Sequence, residues 1–372
     1  MIGAQVRVAV WAGAVAAGFA AYAARPAPGD DAAVARVRDL GPQFTENSVG
    51  VTGCDGATSL VLPDGRSLWV FGDTVEGPFQ SIRELDLAPL RSNTGAVVPK
   101  QDAAHGIREF HFLATDDGRR PRQLILFAPE EDPATTRLWP IHGTCAGRRV
   151  YLFYHRISLL EGVDVFENFR LEGMGLARSE WAPDGGLTFD RRTAADGTRE
   201  FWKGDQPTFG VWVERDGDMA YLWGSLLTGM FLARVPVERI EDLSAYEYLI
   251  AAATAAAPNA APRWSQQFQP TAVLFDSVPN ETSVSFNERL GAFLAIHALG
   301  RDGQIVMRTA PARTGPWSLP RVIYQVARSN DSELVYAAKE HPELAADGGR
   351  RIYITYVNSG TYLPRMLEVT LR

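Results

Sequence analysis

Two short apolar runs, residues 59–62 and 67–71, flank the turn-forming residues Pro63-Asp64-Gly65-Arg66 in the stretch VTGCDGATSLVLPDGRSLWVFGDT, residues 51–74. Proline presets φ and glycine accepts φ > 0, so the pattern predicts a β-hairpin. Asp55 lies just before the first strand and Asp73 just after the second. With the turn centred between Asp64 and Gly65, Asp73 falls opposite Gly56, and both carboxylates come to one end of the hairpin.

The second strand, Leu68-Trp69-Val70-Phe71-Gly72-Asp73, has four echoes: Val150-Tyr151-Leu152-Phe153-Tyr154-His155, Ala220-Tyr221-Leu222-Trp223-Gly224-Ser225, Ala292-Phe293-Leu294-Ala295-Ile296-His297 and Ile352-Tyr353-Ile354-Thr355-Tyr356. Each follows a turn such as Ala146-Gly147-Arg148 or Asp216-Gly217-Asp218. The aromatic positions recur about every 60–80 residues. Long amphipathic helices are absent from the pattern, and the aromatic, β-branched runs between Gly, Pro, Asp and Asn predict an all-β chain. Five hairpin-centred units of similar size predict a five-bladed β-propeller over residues 45–372. A β-sandwich with insertions would not require the same pattern five times. Residues 25–44 read as a linker, with a segment near residues 35–41 placed to add an outer strand to the last blade and close the ring. The Ala- and Pro-rich residues 251–262 read as a surface connector.

Residues 1–24 differ from the rest. Arg7 precedes an uncharged apolar run, residues 8–24, which carries the A-x-A-like Ala21-Tyr22-Ala23. This is the pattern of a secretory signal, and it predicts a secreted, periplasmic or envelope protein. About 17 apolar residues is near the lower limit for spanning, so an uncleaved N-terminal anchor, and with it a membrane partner, is the alternative.

Composition narrows the partners. The 372 residues have 46% hydrophobic side chains and a formal net charge of -7, which argues against nucleic acid as the main partner. The two cysteines, Cys54 and Cys145, either pair in an oxidising compartment or are free thiols. The six histidines show no HxH or HExxH spacing, so no metal and no cofactor is expected. The oligomeric state is left open.

A propeller brings the starts of its inner strands to one mouth of the central channel. Counting back from each echo places Asp55 and Asp73 there from blade one, and Trp139 and His142 from blade two. Blade three contributes Trp202, Asp205 and Phe209, blade four Glu281, and blade five Tyr336 and His341. Acids and aromatics together suit binding and hydrolysis of a sugar chain. The structural alternatives are ordinary: an Asp beside a hairpin is commonly a turn residue, and a Trp in a propeller strand commonly packs between blades.

The segments Thr52-Gly53-Cys54-Asp55 and residues 64–74, with Asn93, Glu281-Thr282-Ser283 and His341-Pro342-Glu343-Leu344, resemble a bacterial family of five-bladed propellers. That family (DUF4185-like), long catalogued as a domain of unknown function, includes endo-D-arabinanases. The resemblance runs from about residue 48 to residue 372. It implies a glycoside hydrolase acting on an arabinofuranan-type polysaccharide or oligosaccharide; a non-catalytic carbohydrate-binding propeller of the cell envelope is the alternative. In the enzymatic reading Asp55 is the base or nucleophile and Glu281 the general acid. Asp73 orients its partner or raises its pKa, or is itself catalytic. Trp139, Trp202, Phe209 and Tyr336 are expected to stack on sugar faces, and Asn93, His142, Asp205 and His341 to bind hydroxyls.

Overall fold

The structure is a computed structural model that describes residues 34–79, 90–160, 169–182, 186–227, 229–278, 281–300, 302–330 and 333–372. The apolar leader expected over residues 8–24 lies outside the described residues.

The chain forms a five-bladed β-propeller. All five echo segments are the second strands of their blades, at Ser67–Phe71, Arg149–Leu159, Met219–Leu226, Ala292–Leu299 and Arg351–Asn358. The inner strands are Thr58–Val61, Thr136–Ala146, Trp212–Asp216, Ser283–Asn287 and Val335–Glu340, each paired antiparallel with the second strand that follows it. Val34–Pro42 pairs with the last strand, Leu363–Leu371, so the outermost strand of blade five comes from the start of the described chain. This long-range pairing closes the ring and leaves no gap between the first and last blades.

The second strands are apolar on both faces because each blade is packed on two neighbours. Five large buried clusters lie between successive blades among the described residues. Trp69, Phe71 and Phe44 join Tyr353 and Met366 between blades one and five. Trp202, Phe209 and Phe153 fill the space between blades two and three.

The opening hairpin differs by one residue from the sequence expectation. Thr58 pairs with Val70 and Val61 with Ser67, so the turn is centred on Asp64. Beyond a short unpaired gap, Cys54 pairs with Thr74 in the ribbon Val51–Cys54/Thr74–Glu76, in the same register. Asp55 and Asp73 both lie in the unpaired gap between these two ladders, so the two acids enter from one end of the hairpin. Cys54 and Cys145 are both free thiols. Residues 255–262 in the Ala- and Pro-rich connector are exposed, between the two outer strands of blade three.

Candidate active site

The gap in the opening hairpin is where the first two acids converge. Ala57, at φ +49°, and Gly56, at φ +76°, turn the backbone away from the ladder, and Gly72 donates its N–H to the Asp55 carbonyl at 3.0 Å. Glycine at position 72 leaves this seat free: a Cβ there would lie 2.4 Å from Asp55 Oδ1 and displace the carboxyl. The carboxyl of Asp55 is therefore seated on bare backbone, half-buried at the channel mouth. Asp73 is only 3% exposed, and its carbonyl accepts the Tyr362 hydroxyl at 3.0 Å.

Blade five supplies two more groups through a backbone irregularity. Tyr336 pairs with Val357 and Lys339 with Thr355, so one extra residue is bulged between them. In a regular strand, residues three apart face opposite sides. The bulge, with Ala337 at φ +56°, turns both side chains to the mouth. Tyr336 donates its hydroxyl to Asp55 Oδ2 at 3.0 Å. Lys339 Nζ lies 2.9 Å from Glu281 Oε1, with their side chains 1% and 12% exposed.

Blade two completes the set. Arg137, fully buried, places Nε 3.4 Å from Asp73 Oδ1, and its Nη1 donates to the Pro133 carbonyl at 2.9 Å. Trp139 is half-buried, its ring edge-on to Phe169 at 5.2 Å, with its indole N–H on the Asp73 side.

This packing sets the charge states. Burial first, then the nearby Asp73 and Glu281, pushes Asp55 up to about 8, against the opposing pull of the Tyr336 hydrogen bond and Lys339. Burial pushes Asp73 up to about 7, with Arg137 and Trp139 pulling the other way. The pair therefore holds a proton near neutral pH while one member is held toward the anion by a guanidinium. Among the described residues no three His, Cys, Asp or Glu side chains are arranged to hold a metal ion.

The sequence profile of the family described as a domain of unknown function (DUF4185) matches residues 40–367. The chain belongs to the DUF4185 family. Curated protein sequences gave no match to it. Among solved structures, this DUF4185 chain is similar to a Bacteroides ovatus protein classed provisionally as a hydrolase. The two share 16% identity over 88% of this chain and 87% of that one, with a TM-score of 0.60. It is also similar to an exo-β-1,3-galactanase from Phanerochaete chrysosporium bound to β-1,3-galactotriose, at 10% identity, 89% and 63% coverage and a TM-score of 0.52. At these identities the likeness is one of fold.

Of the residues expected at the mouth of this DUF4185 propeller, Asp55, Asp73, Glu281, Trp139 and Tyr336 are brought together there. Others are structural, and here the expectation is corrected. Asn93 is fully buried: its Oδ1 accepts the N–H groups of Leu124 and Ile125 at 2.9 and 2.7 Å, and its Nδ2 donates to the Ile125 and Leu138 carbonyls at 3.1 and 3.0 Å. No capacity is left for a sugar hydroxyl. His142 accepts the Val213 N–H at 2.9 Å through Nδ1 and faces the Ser59 carbonyl at 3.2 Å through Nε2, which ties blades one, two and three together. His341 lies between the Ser59 and Thr355 hydroxyls at 2.6 and 2.7 Å, stacked on Trp69. Burial holds both imidazoles well below the usual histidine range, so they are neutral. Trp202 and Phe209 are core residues, 3% and 0% exposed, and Asp205 is exposed in the turn between them.

Lys339 and Arg137 escaped the sequence reading. Each is a long cation inside an otherwise apolar strand, at Val335-Tyr336-Ala337-Ala338-Lys339 and Arg137-Leu138-Trp139. Such a residue must find a buried anion, and that requirement was the available signal.

Proposed function

We propose that this protein is an exported glycoside hydrolase that cleaves a polysaccharide, an arabinofuranan by family resemblance, at the propeller mouth. The observation that carries this reading is the neighbouring acids Asp55 and Asp73 at one end of the hairpin, both with raised pKa, framed by Tyr336, Arg137 and the Glu281–Lys339 ion pair. Glycosidic cleavage needs one carboxylic acid to protonate the leaving oxygen and one carboxylate to act as base or nucleophile. Two acids with separated environments meet that need.

The charge pattern favours a different division of labour from the one expected from sequence. Asp55, surrounded by negative charge, carries the proton and acts as the acid. Asp73, beside Arg137, supplies the carboxylate. Glu281, already bound to Lys339, is less available for proton transfer; it acts electrostatically by keeping the Asp55 pKa high. Trp139 and Tyr336 form the walls of the mouth, where an aromatic face and a hydroxyl position a sugar ring.

The test is incubation of the mature protein with arabinan and a panel of other neutral envelope polysaccharides, following new reducing ends. The expected result is oligosaccharide release by wild type and loss of at least about 100-fold in Asp55→Asn and Asp73→Asn, the size of a general acid–base contribution. If wild type binds one of the polysaccharides but releases nothing from any of them, the protein is a carbohydrate-binding propeller and the enzymatic reading is wrong.

A further inference from the structure

A cavity of about 330 Å³ opens between blades two and three, lined by Trp202, Phe209, Tyr248, Phe268 and the amides of Gln266 and Gln267 among others. It shares a level with the mouth. Trp139 pairs with His155, His155 with Met174, and Met174 with Trp202, one rung crossing blade two from the channel outward. Three strand spacings separate the ends of that rung, roughly 14–15 Å. The cavity thus lies on the face that carries Asp55 and Asp73, outboard of them.

Its chemistry is that of a neutral polyol site. No Asp, Glu, Lys, Arg or His is among its lining residues. One half-buried aromatic ring lines it, Phe268, 5.9 Å from the rings of both Phe209 and Tyr248, while Trp202 and Phe209 are packed behind it as core. The Gln266 and Gln267 side chains are exposed and have no partner among the described residues, so each offers one donor group and one acceptor.

The deciding feature is a proton. The Trp202 indole N–H lies 3.1 Å from the Tyr248 hydroxyl. Indole can only donate, so the Tyr248 oxygen is the acceptor in that bond. Its own O–H then has no acceptor among the described residues, although Tyr248 is only 7% exposed. A hydroxyl proton on the cavity wall with no protein acceptor is left for whatever fills the cavity, water or a ligand oxygen.

We propose that this cavity is a distal subsite for a neutral sugar unit of a polysaccharide that also occupies the channel mouth. The sugar's apolar face lies against Phe268, one of its oxygens accepts the Tyr248 proton, and the two glutamine amides take further hydroxyls. The inference rests on the carbohydrate reading of the mouth for the identity of the chain. It adds that the protein holds an extended chain and not a short oligosaccharide.

The experiment measures calorimetric affinity for short and long linear arabino-oligosaccharides, with xylo- and galacto-oligosaccharides as comparators, in an Asp55→Asn background that prevents turnover. Tyr248→Phe removes one proton donor and its oxygen; the Gln266→Ala/Gln267→Ala double variant changes only exposed side chains and keeps the test available should Tyr248→Phe misfold. The expected result is a loss of roughly 5–30-fold in affinity for the long oligosaccharides, the scale of one or two hydrogen bonds, with short ones unaffected. Unchanged affinity at every length in both variants, or no binding of any oligosaccharide, overturns the proposal. The two readings fail separately. Wild type that cleaves nothing while long-chain binding responds to these variants retains the subsite and rejects the hydrolase; cleavage that depends on Asp55 with KM for long chains unchanged in the variants does the reverse.

Discussion

The Tyr336 hydroxyl donates to Asp55 Oδ2 across 3.0 Å, from the residue that precedes the bulge in the inner strand of blade five. This bond favours the Asp55 carboxylate and opposes the burial that raises its pKa to about 8. In Tyr336→Phe the opposition is gone. The alkaline limb of the pH–rate profile is then expected to move upward relative to wild type, as measured by kcat/KM across pH.

In wild type that profile is expected to be a bell. Below about 7 the Asp73 carboxylate is protonated and the base is lost; above about 8 Asp55 is deprotonated and the acid is lost. Both limbs belong to the pair as a coupled unit. A profile flat from pH 5 to 9 would contradict the assignment of roles.

The same shifts have a stability consequence of opposite value to activity. The folded Asp55 pKa of about 8 lies above its ordinary value of 3.8, so the native state binds more protons than the unfolded chain between those limits. Stability therefore falls as pH rises through that window. Asp55→Asn removes this titration. Its melting temperature is expected to exceed wild type at pH 8 and to match it near pH 4, by about 2–4 °C for each kcal/mol recovered.

Gly72→Ala tests the seat of Asp55. The new Cβ would meet Asp55 Oδ1 at 2.4 Å, so the carboxyl that accepts the Tyr336 hydroxyl must shift. The expected outcome is a loss of kcat of about 10–100-fold, comparable with misplacing a catalytic group by 1 Å, with a melting temperature close to wild type. A variant with full activity would show that Asp55 does not need this position.

Lys339→Met leaves the Glu281 carboxylate buried without its cation. Breaking a buried pair from one side is expected to cost about 3–5 kcal/mol in denaturant unfolding. The double variant Glu281→Gln/Lys339→Met should recover much of that loss, because no unpaired charge remains.

Asn93→Ala separates structure from binding. The Leu124 and Ile125 N–H groups lose their acceptor, while the Ile125 and Leu138 carbonyls keep donors from Gln123 and Ser92. Stability is expected to fall by roughly 3 kcal/mol or more, while KM for any cleaved polysaccharide stays near wild type.

Much of the fold was legible because propeller blades repeat a local signal. Leu68-Trp69-Val70-Phe71 and its four echoes are apolar on both faces, and that pattern survives in sequence because every blade is packed on two neighbours. The hairpin turn at Pro63-Asp64-Gly65 placed Asp55 and Asp73 at one end, and the register of the flanking strands differed by one residue. Register depends on where the turn closes, and here the hydrogen bond from Leu62 to the Arg66 carbonyl shifts its centre.

The sequence by itself determined the repeating blades and the hairpin that carries two acids. Tertiary structure decided which of the other polar residues reach the mouth. Trp202, Phe209, Asn93, His142 and His341 are the residue types a sugar site uses, yet close packing between blades consumes them, through apolar contact or through hydrogen bonds already complete. Lys339 and Arg137 look like isolated charges along the chain. They become part of the site only when closure of the ring sets them beside Glu281 and Asp73, since an ion pair between blades has no local signature.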